Sequence, residues 1–193
     1  MYPRFVKAPT TEAEIIKAMG PYTALGLNGC LGSTDAVHIW WGMCPTSKST
    51  VFTGKEGYPT IVFNVTCTHD GAATHVGTGT YGSCNDKTLI RFDQFVADMR
   101  TLGIYRDREY DLFTADGGTV TVKGVYVVVD GGYHRWRATM SASRFRSDPK
   151  FVRCVFLLLP SCLRIGAGFI VAGGKEDRLR AAGRGETGKH LGT

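Results

Sequence analysis

No pair among the six cysteines has C-x-x-C spacing, so the chain lacks the ligand pattern of a zinc knuckle. An apolar leader is also missing: Met1-Tyr-Pro-Arg leads into a polar segment rather than a signal-peptide core,. The cysteines are therefore read as reduced thiols in a chain that is nuclear or cytoplasmic and not secreted, and the sequon Asn64-Val65-Thr66 carries no weight. No apolar run is clean enough to span a bilayer. The longest, 154–174, holds Pro160 and Arg164 near its middle, and a central arginine there costs about 3 kcal/mol, so no membrane partner is expected. Residues 1–143 carry no net charge. Ten basic and four acidic side chains from Arg144 onward account for the whole formal charge of +6. Such a segment either binds phosphate backbone without reading sequence or is a solvated end.

What is present is the composition of a folded chain. Of 193 residues, 43% are hydrophobic and 21% charged, enough for one domain with a core and short for two. Residues 11–19 predict a short helix capped by Thr10 or Thr11, with Glu12 and Glu14 in its first turn, stopped at Gly20-Pro21. Residues 24–41 read as extended and 46–57 as a polar loop. The alternation over 58–68, with Ile61, Phe63 and Val65 on one side, predicts a strand. Asp70-Gly71 predicts a turn into a returning strand over 73–81. Residues 86–100 predict a helix with Leu89, Phe92, Val96 and Met99 as its apolar stripe and Asn85 or Asp86 as its cap. Residues 110–114 and 119–122 flank Asp116-Gly117-Gly118, a second hairpin. The β-branched run 124–129 suits a central strand buried on both faces.

Two aspartates stand at the ends of apolar strands, Asp35 and Asp130. If those strands are neighbours the carboxylates converge, and converging carboxylates repel unless a hard cation such as Mg²⁺ or Mn²⁺ lies between them. Paired metals of this kind bind the attacking and leaving oxygens of a phosphodiester. Taken alone, an aspartate at a strand end is as readily a turn or cap residue.

Three blocks carry a resemblance: Gly32-Ser-Thr-Asp35-Ala-Val-His38 with Cys44-Pro45; Gly82-Ser-Cys-Asn85-Asp86; and Val127-Val-Val-Asp130-Gly-Gly-Tyr133 with Trp136. In this order they resemble the catalytic blocks of PIF/Harbinger-type DDE transposases. The resemblance implies an α/β, ribonuclease H-like fold, a mixed sheet flanked by helices, here incomplete at the C-terminus. It implies DNA strand cleavage and transfer with Mg²⁺ or Mn²⁺. Asp35 and Asp130 match the first two metal-binding acids, and Asp86 matches the Asp of the N-D block, as a site residue or as a helix cap. His38 either supports the strand end near DNA or is a satisfied core histidine.

The family's third acid is a Glu on a later, Arg-rich helix. After Arg153 the match disappears, and Glu176 is the candidate left, between Gly173-Gly174 and Gly183, where helix propensity is poor. This divides the chain into an N-terminal helix over 1–21, a partial catalytic core over 22–153 and an aberrant Gly/Arg-rich tail over 154–193. The break at 153 suggests a shifted frame, a retained intron or a decayed element. Cleavage is therefore expected to be impaired. The expected partners are DNA, held non-specifically by the basic tail, and a second copy or a separate DNA-binding protein.

The alternative is a non-catalytic, domesticated or decayed transposase domain that binds DNA or a protein partner. A further alternative, a nucleotide-cofactor site, rests on the literal G-x-G-x-x-G at 77–82, which sits poorly between strand and helix. A near P-loop at 183–190 ends in His190 with three residues to follow, too few for its helix. Of Trp40 and Trp41, adjacent on a strand and so on opposite sides, at most one is expected to be exposed for base stacking.

Overall fold

The computed structural model describes residues 6–114, 117–134 and 136–141. Helix α1 is Glu12–Ala24, α2 Thr46–Phe52, α3 Asp86–Leu89, α4 Gln94–Thr101 and α5 Gly103–Arg106. The strands are β1 Cys30–Trp40, β2 Thr60–Cys67, β3 Ala73–Val76, β4 Thr80–Tyr81, β5 Glu109–Phe113, β6 Thr119–Lys123, β7 Tyr126–Val129 and β8 Thr139–Ser141. Six of them form a mixed sheet in the order β3-β2-β1-β7-β8, with β4 also on β2, and β5 and β6 form a separate ribbon. β2 runs antiparallel to β1, while β7 runs parallel to β1 and β8 parallel to β7.

The expectation for β7 holds. Its four residues are all buried, and alternation sends them to two clusters. Val127 and Val129 join Ile15, Met19, Phe95, Val96 and Met99 from α1 and α4. Tyr126 and Val128 join Tyr22, Leu27, Cys30 and Met140. Alternation likewise sends Cys30 and its neighbour Leu31 to different clusters,, and a bulge between Cys30 and Gly32 shifts the register of β1 against β7,. Among the described residues Cys30, Cys44 and Cys84 are free thiols, and no helix is long and apolar enough to cross a membrane. The apolar run at 154–174 lies outside the described residues.

Several local expectations are corrected. α1 has the predicted capping box, in which Thr11 Oγ1 accepts from Glu14 N–H and Glu14 accepts from Thr11 N–H,. It does not stop at Gly20-Pro21 but runs through Pro21. The lost backbone donor is offset by Tyr22, which is fully buried against β1 and β7; burial of an aromatic of this size is worth roughly 2–3 kcal/mol. Extended structure begins only at Cys30, after a turn through Gly26 and Gly29. The polar loop over 46–57 contains α2, anchored where Phe52 meets Trp41 and Tyr81 edge-on, ring centroids 4.7 and 5.2 Å apart. The returning strand over 73–81 is two pieces, β3 and β4, both on β2.

The helix over 86–100 is broken into α3, a 3₁₀ turn over Ile90–Phe92, and α4. Asp93 causes the break. Its Oδ1 caps α4 by accepting from Val96 N–H at 2.9 Å, and its Oδ2 accepts from the Asn64 amide at 2.5 Å. Phe92 leaves the apolar stripe and is 74% exposed. The ribbon of β5 and β6 is the predicted second hairpin, although Asp116 at its tip lies outside the described residues.

Candidate functional site

β1 and β7 are neighbours, as convergence of their acids requires. Ser33 stands opposite Val128 in parallel register, and two further steps along each chain lead to Asp35 and Asp130. Each carboxylate is oriented by local backbone: Ala36 N–H donates to Asp35 Oδ1 and Gly132 N–H to Asp130 Oδ1, both at 2.8 Å. Each keeps its second oxygen for another partner.

Asp86 comes to the same corner from the other side. Asn85, not Asp86, caps α3, its Oδ1 accepting from Thr88 N–H at 2.8 Å, which frees the Asp86 carboxylate. Gly132 marks where the two acids meet: a Cβ there would lie 2.8 Å from Asp86 Oδ2 and 3.0 Å from Asp130 Oδ1. The electrostatics agree. Burial, then the charges of Asp130 and Asp86, raise the Asp35 carboxyl above the usual range. Burial, then the charge of Asp130, raises Asp86. Tyr133, whose hydroxyl donates to Asn64 Oδ1 at 3.1 Å, is raised by burial and by Asp35, Asp86, Asp130 and Asp93. None of Asp35, Asp86 or Asp130 makes an ion pair among the described residues. The three acids thus share one negative corner, although no group of three His, Cys, Asp or Glu among the described residues closes to the separation that holds a metal ion.

His38 is half-buried at the edge of this corner. Its Nδ1 lies 3.0 Å from Thr60 Oγ1, and burial pushes its pKa down. Glu176, the basic tail and the near P-loop lie outside the described residues.

Residues 3–153 match the model of a family described as Plant transposon protein. The chain belongs to the plant transposon protein family. No curated protein and no solved structure matches it.

In this plant transposon protein the G-x-G-x-x-G segment serves packing. A Cβ on Gly77 would meet Asn64 O at 3.4 Å and one on Gly79 would meet Phe63 Cε1 at 2.7 Å, while Gly82 lies against Thr60 and the Phe52 carbonyl. Of the tryptophan pair, Trp40 is 56% exposed and Trp41 is half-buried against Phe52, so neither is core. Asn64, set aside as a sequon, is 1% exposed and ties Asp93 to Tyr133. The turn over 53–57 had no sequence signal beyond the two glycines around Lys55-Glu56; Gly54 packs on the Gly82 carbonyl, a contact distant in sequence.

Proposed function

We propose that the chain is a transposase-derived domain of ribonuclease H-like fold that cleaves and joins DNA strands with Mg²⁺ or Mn²⁺. The observation that carries this is the convergence of Asp35, Asp86 and Asp130, from three separate segments, on one corner at the edge of β1 and β7. The mixed sheet with helices packed on it, and a first acid on a central strand, supports the fold reading. The donor set is carboxylate oxygen alone, which suits hard divalent cations rather than zinc. Asp35 and Asp130 would hold the ion, with Asp86 beside them. When bound, the cation supplies Lewis-acid polarisation of the phosphoryl oxygen and a more acidic attacking water. The chain's own part is orientation: Ala36 N–H fixes one oxygen of Asp35 within β1 and Gly132 N–H one oxygen of Asp130 just past β7, and Asn85 takes the capping role that would otherwise occupy Asp86.

The rate is proposed to fall orders of magnitude below that of a complete three-acid site, because Glu176 is the sole later counterpart and stands in a glycine-rich context. A non-catalytic DNA-binding domain is the second reading, favoured by the absence, among the described residues, of a three-membered group at ion-holding distance. Incubating the full chain with supercoiled plasmid in Mn²⁺ and in EDTA separates the two. Slow nicking that stops in EDTA and drops about tenfold or more in Asp35→Asn and Asp130→Asn is expected. DNA affinity that survives EDTA and falls with salt, with no nicking in Mn²⁺, would leave the binding reading standing and remove the enzymatic one.

A further inference from the structure

The segments that follow Asp86 and Asp130 meet a second time, beside the acid corner. Arg91, in the 3₁₀ turn after α3, donates from Nε to His134 Nε2 at 3.0 Å. His134 stacks on Trp136, with ring centroids 5.2 Å apart and planes 14° from parallel. The Arg100 guanidinium, from the last turn of α4, lies over the Trp136 ring at 4.5 Å from its centroid. The loop beneath is fixed to the sheet. His134 O accepts from Thr139 Oγ1 at 2.6 Å, and Trp136 N–H donates to the same carbonyl at 3.0 Å. Thr139 is buried on β8 opposite Val127 of β7, and Trp136 packs against the core cluster that holds Val127 and Met99. A short length of chain ties this cluster to the acids. His134 stands two residues after Gly132, a span of at most about 7 Å, and Gly132 abuts both Asp86 and Asp130.

Both arginines are exposed and keep most of their donors. Arg91 uses Nε on His134 and retains its Nη groups. Arg100 uses the face of its guanidinium on Trp136 and retains the N–H donors in the plane. Neither makes an ion pair among the described residues. Arg106 and Arg108, by contrast, are paired with Asp107 and Glu12. A guanidinium clamped by a ring but lacking a carboxylate is a pre-organised anion site. Its planar fork matches phosphate, and the clamp leaves less side-chain freedom to be lost on binding. Paired on one surface, such sites suit a repeating polyanion. A corner of three carboxylates repels a polyanion, so cations beside it are what hold the backbone against that field.

We propose that Arg91 and Arg100, held by His134 and Trp136, form a phosphate-binding surface for a DNA strand running past the acid corner, each arginine taking one backbone phosphate. The inference rests on the chain binding DNA, which both readings above share. It puts a backbone grip on the folded core, beside Asp86 and Asp130, in addition to the basic tail.

Fluorescence anisotropy of the full chain with a labelled duplex of about 20 base pairs, across a salt series, tests it. Arg91→Ala and Arg100→Ala are each expected to reduce the steepness of log affinity against log salt by about 1, and the double variant by about 2. Arg100→Lys is expected to keep the wild-type slope but to bind about threefold more weakly, since lysine keeps the charge and loses the fork stacked on Trp136. Arg106→Ala, which removes an arginine already paired with Asp107, is expected to leave the slope unchanged. Alanine variants of Arg91 and Arg100 that bind the duplex with the wild-type slope assign the grip to other residues, the basic tail included, and overturn this surface alone. So does a slope that falls as far in Arg106→Ala as in Arg91→Ala. A wild-type chain that binds no duplex at low salt overturns the DNA reading, and this inference with it.

Discussion

The carboxylates of Asp86 and Asp130 meet over Gly132, which has no side chain to part them. A Cβ at that position would lie 2.8 Å from Asp86 Oδ2 and 3.0 Å from Asp130 Oδ1, distances that force at least one acid to move. Gly132 does not have positive φ, so alanine meets no backbone penalty there. Gly132→Ala is expected to leave the thermal midpoint nearly unchanged while lowering Mn²⁺-dependent nicking about tenfold or more, since small misplacements of a reacting constellation are costly. Equal activity in the two proteins would show that Asp86 and Asp130 do not act together.

Asp35 has its carboxyl raised above the ordinary value by burial first and by the neighbouring acids second. An acid whose folded pKa exceeds its unfolded pKa contributes stability below the unfolded value, near 3.9 for Asp, and loses that contribution as pH rises through the folded value. At neutral pH its charge therefore strains the metal-free fold. Asp35→Asn is expected to melt higher than wild type at pH 7 in EDTA and to lose that advantage near pH 3. Mg²⁺ is expected to raise the wild-type midpoint, by mass action on the folded state, and to do little for the variant. A variant less stable than wild type at pH 7 in EDTA would contradict the strained-acid account.

Asp93 is buried, caps α4 and accepts from the Asn64 amide. His75 Nε2 stands 3.5 Å from Asp93 Oδ1 but makes no hydrogen bond, so the cap and the Asn64 contact carry the prediction. Losing a cap costs about 1 kcal/mol, and stranding a buried amide costs about 1–3 kcal/mol. Asp93→Ala is expected to lose about 2–4 kcal/mol in urea unfolding. A loss below about 1 kcal/mol would mean that water replaces the carboxylate.

Pro21 lies inside α1 and removes a backbone donor there. Proline in a helix interior is about 3 kcal/mol worse than alanine, while its stiffness in the unfolded chain returns up to about 1 kcal/mol. Pro21→Ala is expected to stabilise the fold by about 1–2 kcal/mol, read from the shift of the urea midpoint. Destabilisation would indicate that the proline ring itself is needed in the packing of α1.

The amino-acid sequence alone determined the features that depend on neighbours along the chain. The capping box of Thr11 and Glu14, the alternation through β2, the β-branched run of β7 and the hairpin of β5 and β6 are each set by residues within a few positions. Asp130, just past the end of β7, was legible for the same reason, as was the transposon kinship, whose motif blocks are local strings; Asp35, expected at a strand end, instead lies midway along β1, because pairing with β2 carries that strand on to Trp40. Tertiary structure decided the rest. α1 continues through Pro21 because Tyr22 finds a buried site. The 86–101 segment breaks at Asp93 because Asn64, distant in sequence, offers a partner. Asp86 is released toward Asp130 because Asn85 caps α3 and Gly132 leaves room. The turn that carries Lys55 is held in place because Gly54 packs on the Gly82 carbonyl. These outcomes depend on long-range burial and hydrogen bonding, whose energies of a few kcal/mol exceed the local propensities that a linear pattern reports.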